Sequence, residues 1–291
     1  NKLDDNNLWI HLKSLSFSDA SGAMVKQLAF ETKANQQHAT IKDFDLTLSN
    51  SYISFKKLST NYKLKDKKLV DNSLKYAIKG FKAEITPTDF APLSTNLRNI
   101  YTRYSIIVEA DGTYRKLRIN HLLINNNAQS TLLHAKGWIN NIGSKPNWKF
   151  FLNPVKVNNE TLNIIAKLAH QTLPSALNNL GDIYYKGSIS SIRGNLNAHG
   201  ILRSSAGTAQ LTTNIHGKNI RAKVNTSDFN IGRVIANPDF GTINTNILID
   251  GKADLSYILA KGDIHSFGYK GYSYKNIHLD GLFRNDAFIG K

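Results

Sequence analysis

The sequence predicts a mainly β protein, an extended antiparallel meander carrying two short helical insertions. Three observations predict it. Apolar and polar residues alternate with period two along most of the chain. Glycine turn signals recur at intervals of six to ten residues in the second half. Only two segments place apolar residues at helical spacing.

Taken in chain order, "ATIKDFDLTL" sets Phe44, Leu46 and Leu48 on one strand face, and "LKYAIKGF" does the same with Leu74, Tyr76 and Ile78. "TPTDFAPLSTNLRNI" predicts a short helix near 88–100, capped at Thr88 or Asp89, with Leu93, Leu97 and Ile100 as its apolar stripe. "LRINHLLI" groups Leu117, Ile119 and Leu123. A longer helix is predicted over about 160–180, with Leu162, Ile165 and Leu168 as its stripe, a kink at Pro174 and a stop at Gly181. Beyond it, "IRAKVNT" sets Ile220, Ala222 and Val224 against Arg221, Lys223 and Asn225. "TINTNILIDG" sets Ile243, Thr245, Ile247 and Ile249 against Asn244, Asn246 and Asp250, and "IHLDGLF" groups Ile277, Leu279 and Phe283. Asp111-Gly112, Asp250-Gly251 and Asp280-Gly281 read as hairpin dipeptides. Tyr274 and Ile277 are an odd number of residues apart, so a bulge or bend near Asn276 is required if both share a face. The chain therefore reads as two β-rich segments, 1–157 and 158–291, the second opening with the long helix. Alternation alone suits a meander, sandwich, barrel or solenoid equally.

At 291 residues and 41% hydrophobic, the chain can bury a core. A net charge of +16 favours anionic partners without choosing among nucleic acid, lipid headgroups and acidic protein. The absence of cysteine excludes disulfides, thiolate metal sites and thiol nucleophiles. No apolar run reaches the ~20 residues of a membrane-spanning helix. The histidines lack HExxH spacing and fall mostly on the polar phase of strands; Asp43 and Asp45 read as a solvated face; there is no GxSxG and no phosphate loop. No enzyme chemistry, cofactor or metal is expected. "KGYSYKNIHLDG", Lys270 to Gly281, imitates the aromatic signature of an RNA-binding sheet. The βαββαβ order such a sheet needs is missing from 185–291, so nucleic acid is not the expected partner.

"FNIGRVIANPDFGTINTNILIDGKA" and "GYKGYSYKNIHLDGLFRNDAFIGK" resemble the Bacteroidetes branch of the TamB (translocation and assembly module) family, within the AsmA-like superfamily. "LGDIYYKGSISSIRGNLNAHGILRSSAGTAQL" and "EITPTDFAPLSTNL" extend the resemblance, which is strongest from about Leu180 to Lys291. The resemblance implies a long antiparallel sheet curled into an open groove lined with apolar side chains, in the periplasm. It also implies phospholipid acyl chains as cargo, support of outer-membrane protein assembly with a BamA-type barrel, and an inner-membrane anchor. The chain has neither that anchor nor the segment meeting the barrel, so it is expected to be an internal piece of the groove. The expected lining is Leu117, Ile119 and Leu123 in the first segment, and Ile220, Val224, Ile243, Ile247, Ile249, Ile277 and Leu279 in the second. Two other readings are a scaffold for outer-membrane proteins that templates client strands on open sheet edges, and a basic nucleic-acid-binding module.

Overall fold

Alternating sequence becomes antiparallel sheet almost throughout. A computed structural model of the chain describes every residue except 1, 5–6, 21, 67, 71, 127–129, 169–174, 253–255, 285–286 and 291. Two compact units are present, Asn1–Pro146 and Asn147–Lys291.

The first unit holds β1 (Lys2–Asp4), β2 (Asn7–Ser18), β3 (Met24–Asn35), β4 (His38–Thr47), β5 (Tyr52–Asn61), β6 (Leu64–Lys65), β7 (Lys68–Leu69), β8 (Lys75–Ile85), β9 (Tyr104–Thr113), β10 (Lys116–Asn126) and β11 (Leu132–Asn140). Each strand of the main sheet pairs antiparallel with the next, β8 following β5 directly. β6 and β7 form a separate hairpin in the β5–β8 connection.

The second unit holds β12 (Asn147–Val157), α1 (Asn159–Leu168), α2 (Ser175–Asn179), β13 (Ile183–Ile192), β14 (Asn195–Ser204), β15 (Gly207–His216), β16 (Asn219–Asn230), α3 (Ile231–Ile235), β17 (Phe240–Lys252), β18 (Tyr257–Tyr269), β19 (Tyr272–Arg284) and β20 (Ala287–Gly290). Its strands also pair in sequence order. In each unit the sheet is curled and open rather than closed into a barrel. β12 pairs with β13, so the second unit begins before the expected division at 157/158.

Local chemistry explains where the sequence reading and the fold part. The expected helix near 88–100 is instead two 3-10 turns, Pro87–Phe90 and Thr95–Leu97. Pro92 has no N–H to give the carbonyl of Thr88, so an α-helix cannot run through it. The Thr88 hydroxyl donates to the carbonyl of Arg98 and folds the loop back on itself. Leu93, expected on an apolar stripe, is 84% exposed. The expected long helix is present as α1 and α2; Pro174 and His170, together with the side chains of Ile165 and Leu168, lie outside the described residues. α3 is an additional turn of helix. The Asn230 side chain caps it by accepting from the N–H of Arg233 at 2.8 Å.

The three Asp-Gly dipeptides are not turns. Each lies inside a strand, in β9, β17 and β19. The aspartate projects from the polar face and meets a base on the neighbouring strand: Asp111–Arg118 at 2.7 Å, Asp250–Arg221 at 2.7 Å and Asp280–Lys261 at 2.9 Å. The glycine takes the apolar face where the sheet is tight. A Cβ on Gly112 would stand 2.1 Å from the carbonyl oxygen of Lys116, and one on Gly251 would stand 2.1 Å from that of Tyr257. The reversals come elsewhere, as at Arg193-Gly194 and Lys270-Gly271, where two successive positive φ angles make the hairpin turn that matches strand twist.

Candidate functional site

The apolar face of each sheet is the candidate site. Residues opposite one another in register share a face, so the pairing assigns every side chain. In the second unit one row runs Ile215, Ile220, Gly251, Ile258 and Phe283. The next is Ile189, Ala198, Thr213, Ala222, Ile249 and Ala260. A third is Gly200, Leu211, Val224, Ile247, Gly262 and Leu279, and a fourth is Leu202, Ala209, Thr226, Thr245, Ile264 and Ile277. None of these rows contains a charge. The opposite face carries Lys186, His199, Arg221, Lys223, Lys261 and Asp280.

Ile220, Val224, Ile243, Ile247, Ile249, Ile277 and Leu279 all fall on the apolar face, and each is half-buried. Leu248, an aliphatic on the opposite face, is 55% exposed. Sheet curvature shelters one face and opens the other, and among the described residues no second layer lies over the greater part of the sheltered one. Two of the three threonines in these rows turn their hydroxyls onto the backbone. Thr226 donates its hydroxyl to the carbonyl of Ile243, and Thr245 donates to that of Asp263, both at 2.9 Å. What they present is chiefly a methyl group.

At one end of this face the helices close over the sheet. Val157, Leu180, Ile183 and Ala206 form a buried core there, with Leu162, Leu177, Phe229 and Val234 packed around it. Alongside lie Phe240, Phe267 and Tyr269, with ring centroids 5.1–6.3 Å apart. Tyr272 and Tyr274 continue this aromatic group by pairing with Tyr269 and Phe267. The bulge or bend that the odd Tyr274–Ile277 spacing requires is a bend: Asn276 has φ 56° with no register shift against β18, and both residues reach the apolar face.

In the first unit Leu117 and Ile119 also lie on the apolar face, in rows with Tyr76 and Gly112 and with Ile41, Leu58, Ile78 and Ala110. Leu123 does not. β10 carries an extra residue between Ile119 and His121 that β9 lacks. Beyond this bulge Leu122 pairs with Val108 and Ile124 with Ile106 on the apolar face, while Leu123 pairs with Ile107 and His134 on the other. The bulge is one of a line crossing the sheet, through Leu12/Leu15, Ala29/Glu31, Asp43 at φ 48° and Gly80 at φ 66°. Bulges bend and twist a sheet. Phenylalanines sit beside this line: Phe44 stacks on Phe55 at 4.6 Å and on Phe30 at 6.5 Å.

In each unit a tyrosine lies flat across glycine on the apolar face. The ring of Tyr76 covers Gly112 and its hydroxyl donates to the carbonyl of Lys116. That of Tyr185 covers Gly187 and Gly200 and donates to the carbonyl of Ser188. Burial raises both phenols above the ordinary tyrosine value.

The polar face of the first unit holds an open depression of about 640 Å³, lined in part by Ser59, Lys75, Ala77, Asp111, Arg118 and Trp138. Hydrogen bonds from Arg118 and then Asn120 hold the Asp111 carboxyl below its usual range. His278 meets Asp263 at 3.0 Å, and His121 meets His134 edge to face at 5.2 Å. Among the described residues no group of three or more His, Cys, Asp or Glu could hold a metal ion, and no helix is long and apolar enough to cross a membrane.

Leu211 and Ile215 were missed as lining residues although "LTTNIHG" alternates plainly. Leu122 and Ile124 were missed because both phases of "HLLI" are apolar around the bulge. Comparison with protein-family models, with curated proteins and with solved structures gave no match.

Proposed function

We propose that the chain is a TamB-like, AsmA-like groove segment that acts in the periplasm, holding and passing phospholipid acyl chains along its apolar faces. One observation carries the reading. The strands of the second unit set rows of aliphatic side chains side by side without a charge, sheltered by curvature yet largely uncovered by any other layer.

An acyl chain suits such a face because each buried methylene gains about 0.8 kcal/mol, or about 12 kcal/mol for ~15 methylenes. The contact is non-directional, so a chain can slide without breaking specific bonds. Backbone groups within the rows are spent on strand pairing and the hydroxyls of Thr226 and Thr245 on carbonyls, leaving few polar sites to arrest it. Catalysis plays no part in this reading. Support for outer-membrane protein assembly, with a BamA-type barrel as partner, belongs to the same proposal through the family resemblance.

Lipid extraction and mass spectrometry of the chain purified from a membrane-containing host test it. Phospholipid should accompany the wild-type chain and fall at least tenfold in Ile247→Asp, while Asn246→Asp, one residue away on the polar face, should retain it. Equal lipid in all three, or none in the wild type with client protein in its place, would count against lipid holding.

A further inference from the structure

We infer that the first unit docks on an anionic bilayer surface through the β6–β7 hairpin, a site separate from the apolar faces. The hairpin stands apart from the main sheet. Its strands pair only with each other, Leu64 with Leu69 and Lys65 with Lys68. It is nevertheless held in place. Val70 donates its N–H to the carbonyl of Lys63 at 2.9 Å, Lys63 donates to the Ser73 hydroxyl at 3.0 Å, and Tyr62 donates to the carbonyl of Gln37 at 2.8 Å.

Leu64 and Leu69 are each 43% exposed and Val70 is 37% exposed. They contribute to no buried cluster among the described residues. Lysines ring them: Lys63, Lys65 and Lys68 on the hairpin, with Lys75 and Lys116 on the adjoining sheet, all exposed and with no ion pair to another described residue. The row containing Lys75, Thr113 and Lys116 leads onto the polar face. Four residues further along β8, Lys79 stands opposite Lys57, which stands opposite Lys42. Glu31 stands opposite Lys42 at the end of this row, so one acid faces three lysines in register, and an external anion would relieve the charge that remains.

Aliphatic tips within a collar of lysine match an anionic membrane interface: the tips enter the acyl boundary and the ammonium groups meet lipid phosphates. A nucleic acid would satisfy the lysines and leave Leu64, Leu69 and Val70 in water. This choice does not depend on whether the apolar faces carry lipid.

The test is co-sedimentation of the full chain with vesicles of phosphatidylcholine alone and with 30% phosphatidylglycerol. Binding is expected only to the anionic vesicles, falling steeply with salt. Substituting Lys63, Lys65 and Lys68 by Gln should weaken it about a hundredfold, at about fivefold for each lysine near the surface. L64S/L69S/V70S should also weaken it at least tenfold. The Leu248→Ser variant, which removes a still more exposed aliphatic in the second unit, should bind as wild type. Circular dichroism of each variant should match the wild type, because the hairpin lies outside the main sheet. Equal binding to neutral vesicles would overturn the inference. So would binding unaffected by the leucine and valine changes while a random oligonucleotide competes fully, which would mark a general polyanion site.

Discussion

One row of the first unit's polar face, Lys42, Lys57 and Lys79, sets like charges opposite one another with Glu31 only at its end, whereas Arg221–Asp250 and Lys261–Asp280 in the second unit, like Asp111–Arg118 elsewhere in the first, set opposite charges. The apolar faces differ too. The second unit closes one end of its face with helices over Val157, Leu180 and Ile183. The first has no α-helix over its face among the described residues, and it stacks Phe30, Phe44 and Phe55 beside a line of bulges. One meander can thus be stabilised at its end or at its middle, while the greater part of the apolar face stays available. The polar face can be neutralised internally or left charged for a partner.

The largest expected effects separate the two ways of anchoring. Phe55→Ala should cost the first unit about 3–5 kcal/mol, and Leu180→Ala should cost the second about 2–5 kcal/mol. Hydrogen exchange read strand by strand should show each loss confined to its own unit. A loss spread evenly over β2 to β19 would mean that the units do not fold separately.

Charge reversal should act in opposite directions on the two polar faces. Lys57→Glu places an acid between Lys42 and Lys79 and should stabilise by a few tenths of a kcal/mol up to about 1. Asp250→Lys should destabilise by a similar amount or less, since exposed pairs contribute about 0–1 kcal/mol. Denaturant midpoints at low and high salt would show whether these opposite shifts shrink together as screening requires.

The smallest effect concerns pH. Asp111 and Asp280 are both held below the usual carboxylate range by hydrogen bonds from a neighbouring base, Arg118 and Lys261 respectively. A depressed carboxyl contributes stability above its unfolded value, and that contribution is lost as pH falls through the folded value. Carboxyl-carbon NMR should therefore find both groups titrating after most other aspartates as acid is added. Arg118→Gln should return Asp111 towards the ordinary value and leave Asp280 unmoved.

Much of this organisation was legible in period-two alternation, because a strand with one sheltered face writes that face into every second residue. Ile243, Ile247 and Ile249 could be placed without any structure, and the bend at Asn276 followed from parity alone. Leu123 could not be placed. An extra residue at Asn120 reverses the phase, and the apolar run after it hides the reversal. The Asp-Gly dipeptides were misread because the same two residues suit a turn and a tight mid-strand site with an ion-paired aspartate. The short helix near 88–100 was misread because Leu93, Leu97 and Ile100 keep helical spacing while Pro92 forbids the hydrogen bonds.

Leu122 and Leu123 offer the most direct test that the apolar face is the lipid-holding one, since they are identical side chains, adjacent in sequence, on opposite faces of β10. A photo-reactive residue placed at each position in turn, with the chain loaded with phospholipid, should give lipid adducts at 122 and none at 123. Adducts at 123 alone, or equally at both, would contradict it.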